Sequence, residues 1–496
     1  MNMLPVEIQG NIASNLNIQA VLNLRRTAKA QDALVAVDIA RRLAEEQYPL
    51  LDQTNSNAIA ALRDVVESRK TGWMPVAAGE YEFFLAVTKG GVLVRSYNTP
   101  KNNSEWGFTR KTTQIRVNTD GKEVIFRNVY HSGGKGRNCT SVAVSEDGRV
   151  YSWNQPSWTM GPEWLESLNR MPVMEPMPTL SRVSTVAMGF DHCIAVCDTG
   201  CVYSWGNNKH GECGNGDTTG AHVFNPTEVR FGDNQSTVAS NKLGVGAAAG
   251  LYHSLVVALD GTLWAFGVSN FYGTCLINGI EVTEFSVGTS VFSPKVVPFY
   301  EEYDWNYENN DVPTVTKRKH VVIKKVAAGS YHSLAIDNRG FVFGWGLNSN
   351  GQVGMAKINR TDYVSEPTRL RALNLPILSV VAGPKNSFAI TETGKLYTWG
   401  LVNGDDEERA TVPYDTDTPV RVEYFLDLNV VAVSIAKDTD QGSTMVVTAD
   451  GKVYGCPGGA VQTVRVLEDM AELETYHDWV MYDEIVCERK DVLLGA

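Results

Sequence analysis

The chain has 496 residues, 43% of them hydrophobic and 20% charged, with a formal net charge of −12. That length exceeds one compact core, so several domains or a repeat architecture is expected, and the balance excludes a disordered chain. The negative total argues against a surface that grips nucleic acid throughout.

Forty-four glycines point to many turns. Eight cysteines over this length do not make a small-domain disulfide framework, so a reducing compartment, cytoplasm or nucleus, is expected. The start "MNMLPVEIQG" shows no basic region leading into an apolar core, and the most apolar stretch, around Leu243–Leu259, contains His253 and several glycines. Neither a secretory signal nor a membrane span is expected.

In chain order, Leu4, Ile8, Ile12 and Leu16 recur every four residues as one helical stripe, and Leu22, Leu24 and Leu34 continue the pattern. Leu-Pro-x-Glu-Ile followed by Ile-x-x-x-Leu and Leu-x-Leu resembles an F-box over residues 1–50. That resemblance implies a docking surface for a Skp1-like adaptor made by Leu4, Pro5, Ile8, Ile12 and Leu16. A small helical cap packed on the remainder is the other reading of the same residues. Residues 51–72 read as a helical linker, with Ser56 as N-cap, apolar Ile59, Leu62, Val65 and Val66, and Gly72 beyond the end.

From residue 73 to 496 one sentence is repeated. "AAAGLYHSLVVALDGTLWAFG" at Gly250 and "VAAGSYHSLAIDNRGFVFGWG" at Gly329 have kin at Gly189 and Gly383, and weaker copies at Gly79, Gly136 and Lys437. The seven anchors are 57, 53, 61, 79, 54 and 54 residues apart. In each copy a small-residue stretch leads into an alternating apolar strand, as in Ser254–Leu259. A two-residue turn such as Asp260-Gly261 follows, then a return strand ending in Trp153, Trp205, Phe266, Trp345 or Trp399. Most copies continue to a short strand near a proline, as in "NPTEVR" (225–230), "EPTRL" (366–370) and "TPVRV" (418–422). Several short strands repeated seven times predict a mainly β fold, a seven-bladed β-propeller with a small α-helical head.

Gly-x-x-His-Ser at Gly250–Ser254 and Gly329–Ser333, then Asp-Gly, then "WGNNKHGECG" (205–214) and "WGLNSNGQVG" (345–354), resemble the RCC1 repeat. Blades of the WD40 kind recur at roughly 40–45 residues and kelch blades at about 50. Every spacing here is longer, and the Trp-Asp ending is missing.

Several constellations invite chemistry. His192, Cys193, Cys197, Cys201, His210 and Cys213 suggest zinc. The repeat assigns them to packing, because Cys193 stands where Ser254, Ser333 and Ser387 stand in other copies. His192, His253 and His332 share one repeat position, which predicts hydrogen bonding between blades rather than catalysis. "SGGKGR" (132–137) lacks the Gly-Lys-Ser/Thr of a phosphate loop. No catalytic residue, cofactor or metal is expected.

The longest spacing places extra length between Leu276 and His320, where the acidic aromatic run Glu301, Glu302, Asp304 and Trp305 precedes "TKRKH" (316–320). These four residues are nominated as a contact loop for an unknown partner protein, basic or chromatin-associated. Direct nucleic-acid binding is expected to be weak. The F-box resemblance implies a substrate adaptor for ubiquitin ligation, and the RCC1 resemblance implies chromatin or genome binding or guanine-nucleotide exchange on a small GTPase. The third copy lacks the hairpin insertion of exchange-active relatives, and no basic tail like that of chromatin-bound ones is present. Such head-plus-propeller chains also look like products of large DNA viruses, which adds the virion as a location.

Overall fold

The computed structural model describes residues 76–78, 84–87, 91–100, 108–119, 122–132, 140–154, 175–177, 179–231, 243–268, 290–299, 321–356, 363–401, 415–436, 444–449, 452–456, 465–469 and 479–483. The helical head and linker read in residues 1–72 lie outside them. The described residues form seven β-sheets, and their helical content is one 3-10 turn, Glu423–Phe425.

Each sheet is built on four strands in chain order, joined antiparallel from the inner edge outwards, and the first sheet carries two more, Lys122–Glu123 and Trp479–Asp483. The blades cover residues 76–119, 126–176, 183–228, 244–297, 323–369, 377–421 and 430–469, and are numbered 1 to 7 in that order. The inner strand of each blade touches those of its two neighbours, and blade 7 touches blade 1. Seven copies in the sequence have become seven blades on one ring.

Burial explains why the ring must close. There are seven buried apolar clusters, and each spans two adjacent blades. In the second strand of blade 4 (His253–Ala258), Leu255 and Val257 face blade 5 while Val256 and Ala258 face blade 3. All six residues of that strand are buried, so its alternation sorts side chains between two neighbouring blades rather than between core and solvent. A strand covered on both faces is written as a continuous apolar run. The aromatics that end the third strands each pack back onto the preceding blade, Trp345 among blade 4 residues and Trp399 among blade 5 residues. A lone blade would expose both of its faces, so the ring is the folding unit.

Turn chemistry sets the hairpins. Gly148, Gly261 and Gly340 take φ of +82°, +81° and +85° between second and third strands, where a side chain would be strained. Pro226, Pro294, Pro367 and Pro419 all sit in outer strands, where the missing N–H faces an open edge rather than a ladder.

The ring closes in two ways. Ala78, Ala86 and Val94 of blade 1 interlock with Ala432, Met445, Val447 and Val453 of blade 7, and the Ala78 amide donates to Ser434 Oγ at 3.0 Å. After the outer strand of blade 7 (Arg465–Asp469), a last strand, Trp479–Asp483, joins the outer edge of blade 1. There it pairs with residues 114–118, the one parallel pairing among the described strands. The tail thus both completes the last blade and clasps the first. The added length of the fourth copy is also placed: it flanks the outer strand Ser290–Val297 on both sides, as residues 269–289 and 298–322.

Candidate partner-binding face

One face of the ring carries the Gly-x-x-His loops between first and second strands and the long loops between third and outer strands. The opposite face carries the Asp-Gly-type turns and the connections between blades. Each Gly-x-x-His loop meets the next at van der Waals limits. A Cβ on Gly250 would lie 2.5 Å from the Gly329 carbonyl oxygen, and one on Gly329 would lie 2.4 Å from that of Gly383. Glycine is required there by proximity rather than by φ.

The histidines that follow are struts. Nε2 of His192, His253 and His332 stands 2.9, 3.0 and 2.7 Å from Oγ of Ser254, Ser333 and Ser387, each on the next blade. Ser254 and Ser387 spend their own protons on the carbonyls of Glu212 (2.7 Å) and Gln352 (2.8 Å). The histidine Nε2–H is therefore the donor to both serines. Burial drives the His332 pKa down to about 3, which keeps the ring neutral. These rings hold blades together, as their shared repeat position implies, and blades 3 to 6 form one bonded series.

The loops 207–216 and 347–356 are built on the same plan. Asn208 Oδ1 accepts from the Cys213 amide at 3.0 Å, as Asn348 Oδ1 does from the Val353 amide at 3.0 Å. Glu212 Oε2 accepts from the His210 amide, and Gln352 Oε1 from the Asn350 amide, each at 2.8 Å. The frame is shared but the charge is not. Burial pushes the Glu212 carboxyl up to about 7, with Asp191 adding to the effect.

On this frame the loop tips of blades 3 to 5 present aromatic and histidine side chains to solvent. His210 packs edge-on against Tyr252, 5.3 Å between ring centres, and His222 lies 4.6 Å from Phe224. Phe224 is 81% exposed and Tyr363, on the equivalent strand of blade 5, is 41% exposed. Tyr331 is half-buried at the loop position that Tyr252 occupies one blade earlier. Burial raises the Asp191 carboxyl, while His222 opposes that rise. Large amphipathic rings on rigid loops are the side chains that protein interfaces select.

Models of the Regulator of chromosome condensation (RCC1) repeat match residues 183–212 and 323–352, and residues 199–257 and 339–390. The chain carries RCC1 repeats. It is 31% identical over 234 residues to the guanine nucleotide exchange factor SRM1 of Saccharomyces cerevisiae, covering 46% of this chain and 43% of that one. The chain spans about half the length of the curated relatives it matches. Among solved structures, yeast RCC1 (Prp20) bound to Kap60 superposes with a TM-score of 0.52 at 19% identity over 81% of both chains. A structure of Prp20p from Saccharomyces cerevisiae, described with its binding properties to Gsp1p and histones, gives 0.50 at 19% identity over 81% of this chain and 84% of that one. These likenesses show an RCC1-like propeller fold.

Within the RCC1 repeats the cysteines are packing residues. Cys193, Cys197 and Cys213 are buried free thiols, and burial pushes Cys197 and Cys213 up to about 12. No group of metal-binding side chains occurs among the described residues. Cys193 takes the serine position, and blade 2 carries Thr140 where a histidine would need that serine. Of the residues nominated for partners, Leu4, Pro5, Ile8, Ile12 and Leu16, and equally Glu301, Glu302, Asp304 and Trp305, lie outside the described residues. The exposed Phe224 and Tyr363 were not nominated. They follow directly on the loops 207–222 and 347–362, and that position was the available signal.

Proposed function

We propose that this chain is an RCC1-like protein-binding propeller, which holds a partner protein on the aromatic loop face of blades 3 to 5. The exposed Phe224 beside His222, on loops locked by Asn208 and Asn348, carries this reading. A preformed surface of this kind pays little ordering entropy on binding. The partner classes are those attached to its relatives, a histone or a small GTPase. Binding without exchange is favoured because blade 3, described continuously over residues 179–231, contains no hairpin insertion. The similarity to SRM1 supports exchange as the second reading.

Affinity capture with the full chain, followed by mass spectrometry, tests this. Histones or a small GTPase should be retained, and the Phe224→Ser, Tyr363→Ser double variant should lose at least about tenfold in retention, since a central aromatic contributes about 2 kcal/mol or more. Equal capture by the variant removes this face from the proposal. Accelerated nucleotide release from the captured GTPase would select exchange. The adaptor reading of the head is a separate extension: deleting residues 1–50 should abolish capture of a Skp1-like subunit and leave propeller partners unchanged.

A further inference from the structure

The inner strands of all seven blades line a central cavity of about 400 Å³. Among the described residues its lining includes Lys324, Lys325 and His131, and no aspartate or glutamate, in a chain of net charge −12. Repeat symmetry shows how unusual this is. Inner strands of blades 2 to 7 each contain a register shift after their first residue, so their third residues are equivalent: Asn128, Thr185, Gly246, Lys325, Ser379 and Ala432. Five of the six are small or neutral. The fold does not need a lysine at this level.

The surroundings of Lys325 are open on one side and polar on the other. Its Nζ donates to the Leu378 carbonyl of blade 6, which leaves two further N–H bonds on the ammonium. Ser379, next in chain to that carbonyl, lines the same cavity. On the blade 4 side stands Gly246, where an added Cβ would meet nothing within 4 Å. An ammonium, a hydroxyl and vacant space therefore occur on three consecutive blades at one height. Burial alone lowers the Lys325 pKa, to about 8, and no carboxylate contributes.

We propose that Lys325 and Ser379 form a binding site for one compact oxyanion, a phosphate or carboxylate group, seated over Gly246 in the central cavity. The anion supplies the negative charge that the cavity wall lacks, and it accepts from the ammonium and the serine hydroxyl. A charge-assisted hydrogen bond of this type is about twice as strong as a neutral one. Binding weakens above about pH 8 as Lys325 loses its proton. The other titratable groups facing the cavity are Lys324, His131 and Tyr130; burial holds His131 near 4 and raises Tyr130, so both stay neutral across that step.

Calorimetric titration of the full chain with inorganic phosphate, and separately with acetate, tests the site. Saturable binding of at least one is expected, and which one binds names the source. Lys325→Met should weaken it by about tenfold or more, the scale of one lost charged hydrogen bond. Gly246→Val should block it without disturbing the fold, because its side chain enters vacant space. Absence of binding by either anion to the unaltered chain, or equal binding by both variants, overturns the proposal.

Discussion

Blades 3 to 6 and the junction of blades 7 and 1 solve the same packing problem with different means. In the first region each interface adds a buried His–Ser hydrogen bond to its apolar cluster. On the way into blade 7 the equivalent positions are Asn386 in blade 6 and Thr444 in blade 7, so the His–Ser pair does not recur there. The closure relies on small apolar residues, one amide-to-serine bond and the parallel clasp of Trp479–Asp483. Directional bonds fix the rotation of one blade against the next, whereas alanine and valine faces fix only distance. The closing junction is thus the place where the ring can be opened.

The strongest way to break this comparison is Met445→Glu, which puts an unpaired charge into the fully buried closing cluster. It should cost on the order of 4 kcal/mol or more and turn one unfolding transition into an early opening of blades 7 and 1. Urea unfolding followed by limited proteolysis would read both. His253→Ala attacks the bonded region instead, removing the hydrogen bond to Ser333 and leaving a cavity. A loss of about 2–4 kcal/mol is expected. A loss within experimental error would show that the struts do not stabilise these interfaces.

Glu212→Gln sharpens the comparison by giving the blade 3 loop the side chain of the blade 5 loop. Burial keeps the proton on the Glu212 carboxyl up to about pH 7 in the fold, against an ordinary value of 4.5. The folded state therefore binds the extra proton between those values, and wild-type stability falls as pH rises through that window. The variant should match wild type below the window and exceed it by about 1–3 kcal/mol above it. Paired denaturation curves on either side of the window decide the point; a pH-independent difference would remove Glu212 as the cause. The smallest effect is expected for Phe224→Ser, within about 0.5 kcal/mol of wild type, because that ring is exposed.

The repeat was legible because its signals are local. Asp-Gly turns, Gly-x-x-His and the closing tryptophan each fix a backbone state within a few residues, so the count of seven and the strut histidines could be read directly. The inner strand of blade 2, Phe126–His131, was hidden because "FRNVYH" lacks the small-residue stretch of its counterparts. The clasp was illegible for another reason. Trp479–Asp483 pairs with residues 114–118, and no repeat signal continues into that tail. Lys325 stood out only once register made it equivalent to Thr185 and Gly246. On the partner face, Phe224 looked like any strand residue until its exposure was known. Function here lies in what a blade leaves uncovered, and the repeat specifies what it covers.

The bond between Ala78 and Ser434 joins residues 356 positions apart. A ribosome adding about 5–20 residues per second needs about 20–70 s to travel that distance. Through that interval the first blade has emerged with one side finished and the other, Ala78, Ala86 and Val94, still waiting for its mate. Among the described residues that face is made of alanine and valine. A nascent chain that must keep one surface unmatched for the length of its own synthesis is thereby given a surface that adheres weakly to strangers.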